Sequence, residues 1–172
     1  IHHCMRSIGQ AETALQAMVH RAKHRVAFGT TLIEKETIQE RVAEARMSLT
    51  MTRQLCYLAA CVADEKGFKA ARGYIGMIKV QAPRMALKII DEAIQVHGAH
   101  GISQDCKLGD EWIHVRHVRL ADGPDAVHLR IVGKQEMRRP ISEIAKEISG
   151  VNKNIEKFGK FKNLAPLPKS RL

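Results

Sequence analysis

The feature that most constrains this sequence is a series of apolar residues at alternating steps of four and three between residues 38 and 96. The first half has this spacing at Ile38, Val42, Ala45, Leu49, Thr52, Cys56 and Ala59. The second half has it at Ile75, Ile78, Ala82, Met85, Ile89, Ala93 and Val96. Such spacing places residues on one face of an α-helix. Because DEKG at 64–67 separates the halves, we predict two long helices, with a local kink at Pro83 in the second.

Weaker patterns predict further helices at both ends of the chain. Apolar residues at helical spacing predict a helix over residues 7–25. A last helix is predicted after Gly123, since Pro124 suits a first helical position, and it extends to about residue 148 with a break near Pro140. The polar, glycine-containing stretch 97–112 predicts a loop. The alternation in WIHVRHVRL, residues 112–120, is compatible with a strand, although the chain offers it no partner strand.

Composition supports a helical core. Hydrophobic residues make up 45% of the chain and aromatic residues 4%, so the core must consist of Ala, Ile, Leu, Val and Met. This composition suits packed helices better than a sheet. We therefore predict an all-α fold, an antiparallel bundle of four-helix type, over residues 1–150. No apolar run approaches the length of a transmembrane segment.

The charge of the chain is unevenly distributed. Residues 151–172 contain six basic residues and one glutamate, so this segment carries half of the net charge of +10. We interpret this segment as a separate basic tail, since it also contains two prolines and little apolar periodicity. In the rest of the chain, both signs of charge are interleaved on the outer helix faces. With only seven aromatic residues for stacking, the chain is not expected to bind nucleic acid.

Cysteine and histidine spacing indicates no metal site. The four cysteines contain no C-x-x-C pair, which favours free thiols. His20 and His24 are four residues apart, and His114 and His117 are three apart. A metal site needs three or four converging ligands, and no carboxylate or cysteine completes either pair at a recognisable spacing.

The strongest chemical candidate is RLADGPDAVH, residues 119–128, where Asp122 and Asp125 flank a Gly-Pro turn before the last predicted helix. A carboxylate at this place can cap the helix, or it can project from the turn into a cleft as a general base. A second candidate is QVHGAHG, residues 95–101. Its glycines either end the preceding helix or let the backbone approach a ligand closely. Local sequence leaves both alternatives open at both places.

Four separated segments together resemble the C-terminal helical domain of the acyl-CoA dehydrogenases. They are SIGQAETAL in the first helix, RVAFG at its end, QVHGAHG after the third helix and ADGPD before the last helix. The resemblance covers about residues 1–148, with the four motifs in register. ADGPD is similar to the branch of the family in which a kinase-like domain precedes the dehydrogenase.

The resemblance implies specific roles for residues of this chain. Asp122 would be the base that removes the α-proton of an acyl-CoA thioester while hydride passes from the β-carbon to FAD. Gly123 would lie against the substrate. The implied FAD contacts are Arg25 and Phe28 towards a neighbouring subunit, Gln95, Val96, His97, Gly98 and Ala99 along the adenine-diphosphate end, and Pro124, Asp125 and Ala126 beside the flavin.

The resemblance also implies partners and a location. It implies a homo-oligomer, either dimer or tetramer, an electron-transfer flavoprotein as redox partner, and the mitochondrion, with the peroxisome as second choice. The N-terminal helical and β domains of the family are missing, so the chain is expected to be a fragment that is inactive alone. The alternative is a non-catalytic module, a dehydrogenase-like bundle retained as an assembly or scaffold subunit. Both alternatives predict the same bundle.

Overall fold

The computed structural model describes residues 1–157 and confirms the all-α prediction. The first helix and the second are joined by a minimal β-hairpin, and two short 3-10 helices accompany the α-helices. The elements are α1 (His2–His24), β1 (Val26–Ala27), β2 (Thr30–Thr31), a 3-10 helix (Leu32–Glu34), α2 (Glu36–His97), a second 3-10 helix (Gly98–Ile102), α3 (Leu108–Val118), α4 (Asp125–Met137) and α5 (Ile141–Lys157).

Helix α2 consists of two antiparallel segments, residues 36–66 and 68–97, that meet at Gly67. Gly67 has φ 79° and ψ 164°, a backbone conformation that favours glycine. The segments lie side by side, since Arg41 pairs with Glu92 and Lys88 Nζ is 3.0 Å from Glu44 Oε2. These segments confirm the two predicted helices and their boundary.

Helix α2 continues through Pro83 without a break, as predicted, because Gly67 is the only residue within α2 with non-helical backbone angles. Pro83 itself is buried, and so are its neighbours Ala82 and Met85. A proline removes one backbone hydrogen bond from a helix. The buried stripe on both sides of Pro83 is nevertheless continuous with the rest of the segment 68–97.

The core lies where α1 and α3 pack on the two segments of α2. It is built from aliphatic and small side chains, and no buried residue in its main cluster is aromatic in the described part of the chain. Its fully buried larger side chains include Leu15, Met18, Leu49, Ile78, Ile89, Ile90 and Val115. At its edge, Glu12 of α1 accepts hydrogen bonds from Arg46 and Arg53 of α2. The composition of the core therefore agrees with the prediction.

Residues 112–120 do not form a strand, and the loop predicted over residues 97–112 is shorter than expected. Helix α3 begins at Leu108, and it buries Leu108, Val115 and Val118, which share one helical face. Acidic residues lie in its first turn and basic residues in its last turn, and these charges interact favourably with the helix dipole. The apparent alternation in WIHVRHVRL was too short to outweigh these helical signals.

The C-terminal helices separate at Pro140, as predicted. Helix α4 begins at Asp125, but α5 extends to Lys157, beyond the predicted end near residue 148. The described residues divide into two units, with the boundary between Lys134 and Gln135. Of the predicted basic tail, residues 151–157 belong to α5 and residues 158–172 lie outside the described residues. Among the helices described, none combines the length and apolarity required to cross a membrane.

Candidate active site

The ADGPD sequence forms the turn between α3 and α4, and its backbone is unusual at the predicted base. Asp122 has φ 53° and Gly123 has φ 99°. Non-glycine residues rarely adopt positive φ, although aspartate does so more readily than most. A Cβ atom on Gly123 would lie 3.1 Å from His128 Nε2, so both the conformation and the available space favour glycine there. Such conformations are found frequently at functional sites.

A buried lysine binds this turn to the bundle through hydrogen bonds. Lys79 of α2 is only 6% exposed, and its Nζ donates hydrogen bonds to the carbonyl oxygens of Val118, at 2.7 Å, and Gly123, at 3.3 Å. On the other side of the turn, His128 Nε2 lies 3.2 Å from the carbonyl oxygen of Asp122. The backbone of the turn is therefore held by both α2 and α4.

Asp125 joins three helices through its carboxylate. Its Oδ2 accepts hydrogen bonds from Arg119 Nε at 2.9 Å, Arg119 Nη2 at 2.7 Å and Arg84 Nε at 3.0 Å. Burial raises the pKa of Asp125, but the hydrogen bonds from Arg119 and Arg84 outweigh burial, so the pKa lies below its ordinary range. Its Oδ1 is buried and has no hydrogen-bond partner within the described residues. One carboxylate oxygen of Asp125 therefore accepts all three hydrogen bonds, and the other is buried without a partner within the described residues.

The side chain of Asp122 faces outward, and one residue of α1 contacts it. Its side chain is 72% exposed, and its Oδ2 lies 2.8 Å from His3 Nε2. His3 Nδ1 lies 2.5 Å from Arg6 Nη2 in the next turn of α1. Within the described part of the chain, no hydrogen bond involves Asp122 Oδ1. The predicted base is thus held at one oxygen and open at the other.

A second group of predicted residues lines a groove of about 390 Å³ at the end of α2. The groove combines Arg25 with Gln95, Val96, His97, Gly98 and Ala99, although the two motifs are 70 residues apart. Arg21 also lines it, and the Arg21 Nε atom is buried without a hydrogen-bond partner within the described residues. Gly98 has φ 66°, and a Cβ atom there would meet no atom within 4 Å. The groove therefore offers two guanidinium groups beside an unobstructed backbone.

The remaining predicted residues lie outside this groove. Phe28 is at the tip of the β-hairpin, has φ 56° and is 98% exposed. Pro124 and Ala126 are exposed at the start of α4. The structure therefore gathers the predicted site residues into the ADGPD turn and the groove, with Phe28 separate from both. Among the side chains that the structure describes, those of residues 1–150, no three His, Cys, Asp or Glu are placed to hold a metal ion.

Sequence reasoning missed His3, Arg21, Lys79, Arg84 and Arg119. Two of them carried a usable signal. Arg21 is four residues before Arg25, so both lie on one side of the helix predicted over residues 7–25. Lys79 is next to Ile78 and three residues before Ala82, so it is a charge close to an otherwise apolar stripe. The contacts of His3, Arg84 and Arg119 depend on tertiary packing and have no local signature.

Comparison with known proteins now identifies the family. Residues 1–137 match the family described as acyl-CoA dehydrogenase, C-terminal domain. The chain belongs to the acyl-CoA dehydrogenase family. This is a family of FAD-dependent dehydrogenases. The match covers the whole of the groove and the ADGPD turn.

Individual relatives support this assignment. Acyl-CoA dehydrogenase family member 11 of Rattus norvegicus is 49% identical over 138 residues, covering 80% of this chain and 18% of the relative. FadE2 of Mycobacterium tuberculosis is 46% identical over 149 residues, covering 87% of this chain and 37% of the relative. The fold resembles butyryl-CoA dehydrogenase of Megasphaera elsdenii with a TM-score of 0.74 and 26% identity, covering 79% of this chain and 35% of that one. This chain spans well under half the length of each.

Proposed function

We propose that this chain is the C-terminal domain of a flavoprotein that oxidises the α,β-bond of an acyl-CoA thioester, with Asp122 as the base. The observation that carries the proposal is the placement of Asp122. Its carboxylate is 72% exposed on a turn whose backbone is held by buried Lys79. A general base must be accessible to its substrate and must also be held in position. Asp122 meets both requirements.

The proposed step is removal of the α-proton of the thioester. The α C–H bond breaks, Asp122 accepts the proton, and hydride leaves the β-carbon. FAD, when bound, supplies the hydride acceptor. By its resemblance to the family, Asp122 stands in the place of a catalytic glutamate, and aspartate is shorter by one methylene, about 1.5 Å. The positive φ of Asp122 and the absent side chain of Gly123 let the backbone approach the substrate, which compensates for the shorter reach.

The residues of the groove fit the adenine-diphosphate part of FAD. Arg21 and Arg25 provide guanidinium groups, which match the geometry of phosphate, and the Arg21 Nε donor has no acceptor within the described residues. We propose that residues 95–99 hold the same part of the cofactor. Pro124, Asp125 and Ala126 would lie beside the flavin. The exposure of Phe28 supports its proposed contact with flavin in a neighbouring subunit.

The proposed partners follow from membership of the family. We propose acyl-CoA as substrate, a homo-oligomer as the assembled form and an electron-transfer flavoprotein as the partner that accepts the electrons. The identity of 49% to acyl-CoA dehydrogenase family member 11 supports placement in the same branch. We propose the mitochondrion as the location of the whole protein.

The test is Asp122→Asn in the full-length protein that contains this chain. Asparagine preserves the shape of the side chain but is not a base. Incubation with an acyl-CoA in deuterated water, followed by mass spectrometry, measures exchange of the α-proton. We expect exchange to be lost in Asp122→Asn and retained in Asp64→Asn, a matched change at an exposed aspartate near Gly67. Undiminished exchange in Asp122→Asn would remove Asp122 from the mechanism.

A further inference from the structure

We infer that His3, oriented by Arg6, is a positioning residue for the carboxylate of Asp122. The inference rests on the proposed function, since it concerns the proposed base. It starts from one geometric observation: His3 Nε2 lies 2.8 Å from Asp122 Oδ2, across the space between the first turn of α1 and the α3–α4 turn. Lys79 and His128 hold the backbone of that turn, but His3 is the residue that contacts the carboxylate itself.

Arg6 determines which nitrogen of His3 carries the proton. Arg6 Nη2 lies 2.5 Å from His3 Nδ1, and a guanidinium group can only donate hydrogen bonds. Nδ1 must therefore accept, which leaves the ring proton of neutral His3 on Nε2. That proton is directed at Asp122 Oδ2. The three side chains form a chain of donors and acceptors in the order Arg6, His3, Asp122.

The direction of these hydrogen bonds suits a base. His3 engages Asp122 Oδ2 and leaves Oδ1 open, so one oxygen is anchored while the other can take a proton. An exposed aspartate otherwise populates several rotamers, and only some of them point at a given substrate atom. His3 thereby orients the carboxylate through its Nε2–H donor.

The experiment compares variants of the full-length enzyme. His3→Leu removes the donor, whereas His3→Gln keeps a side-chain N–H that can reach Asp122. His2→Leu is the matched control, since His2 is the exposed neighbour of His3. We expect His3→Leu to lower kcat and the α-proton exchange rate by on the order of 10²-fold with little change in KM, as expected for a misplaced reacting group. His3→Gln should recover most of the rate, and His2→Leu should match wild type.

A spectroscopic readout tests the same arrangement without turnover. In full-length protein labelled with ring-15N histidine, the His3 signals can be assigned by their loss in His3→Gln. We expect a protonated Nε2 and an unprotonated Nδ1 in wild type. In Arg6→Met the Nδ1-protonated tautomer should gain population, because the donor that opposes it is gone. A His3 ring protonated at Nδ1 in the wild-type protein would overturn the inference even if a His3 variant failed to fold.

Asp122→Asn separates the two proposals. Loss of α-proton exchange in Asp122→Asn, with His3→Leu as active as His2→Leu, would overturn the role of His3 and leave the proposed function intact. Retained exchange in Asp122→Asn would overturn the proposed function and, with it, this inference. Loss of exchange in both Asp122→Asn and His3→Leu, with recovery in His3→Gln, supports both.

Discussion

Replacing Lys79 with methionine tests how strongly the ADGPD turn is anchored to the bundle. Methionine is close to lysine in length and lacks only the ammonium group, so packing along the stem of the side chain is retained. The change removes the hydrogen bonds from Nζ to the carbonyl oxygens of Val118, at 2.7 Å, and Gly123, at 3.3 Å. It leaves the Val118 carbonyl buried without this donor.

The expected loss of stability follows from these contacts. Hydrogen bonds from charged groups contribute about 1.5–3 kcal/mol, and the longer bond to Gly123 contributes at the low end. Methionine no longer requires burial of an ammonium group, which offsets part of this loss. We therefore expect Lys79→Met to lower the free energy of unfolding by about 1–2 kcal/mol. The control is Lys88→Met, since the ion pair of Lys88 with Glu44 is exposed and contributes at most about 1 kcal/mol.

Urea unfolding of the chain, followed by far-ultraviolet circular dichroism, measures both variants. We expect a lower urea midpoint for Lys79→Met than for Lys88→Met. The slope of the unfolding free energy against urea concentration should be the same in both variants. Hydrogen exchange should also accelerate at the amides of the turn in Lys79→Met. If Lys79→Met were as stable as Lys88→Met, the two carbonyl contacts would not be what holds the turn.

Two further predictions concern the glycine of the turn and the edge of the core. Gly123→Ala should destabilise the fold by about 1–2 kcal/mol in urea unfolding, because φ is 99° and the new Cβ would lie 3.1 Å from His128 Nε2. The control is Gly133→Ala, which should stabilise α4 because the added Cβ would meet no atom within 4 Å. Equal changes in stability for the two variants would refute the special role of glycine at position 123. Hydrogen bonds from Arg46, and then Arg53, hold the pKa of Glu12 at about 2, below its ordinary 4.5. The resulting stability is therefore present above pH 4.5 and is lost as pH falls towards 2. Between pH 4.5 and 2, the free energy of unfolding should fall less in Glu12→Gln than in wild type. If the two variants lost the same free energy over this range, the role of the Glu12 ion pairs would be refuted.

The helices were predictable because their signals are local. The alternating steps of three and four identified both segments of α2, and the glycine of DEKG supplied the boundary at Gly67. Pro140 lies between α4 and α5, where a proline that lacks the backbone N–H can end a helix. Pro83, in contrast, lies within α2 among buried neighbours, so the effect of a proline on a helix depends on packing that is not local in sequence.

The site was only partly predictable. Asp122 was singled out from its place on a Gly-Pro turn, and the family resemblance supplied its proposed role. Two of the residues that hold the turn lie far away in sequence: Lys79 is 44 residues from Gly123, and Arg84 is 41 residues from Asp125. Both are cations on the long helix α2, and only the packing of α2 against the turn shows which atoms they contact.

The protein containing this chain is proposed to be a flavoprotein that oxidises an acyl-CoA. The most direct measurement is the visible absorption spectrum of the full-length protein, purified from its natural source, before and after anaerobic addition of an acyl-CoA. We expect a polypeptide much larger than this chain, with a flavin band that bleaches on addition of the thioester. A colourless protein of about this size, held firmly in a larger complex, would contradict it and would indicate a dehydrogenase fold that serves only in assembly.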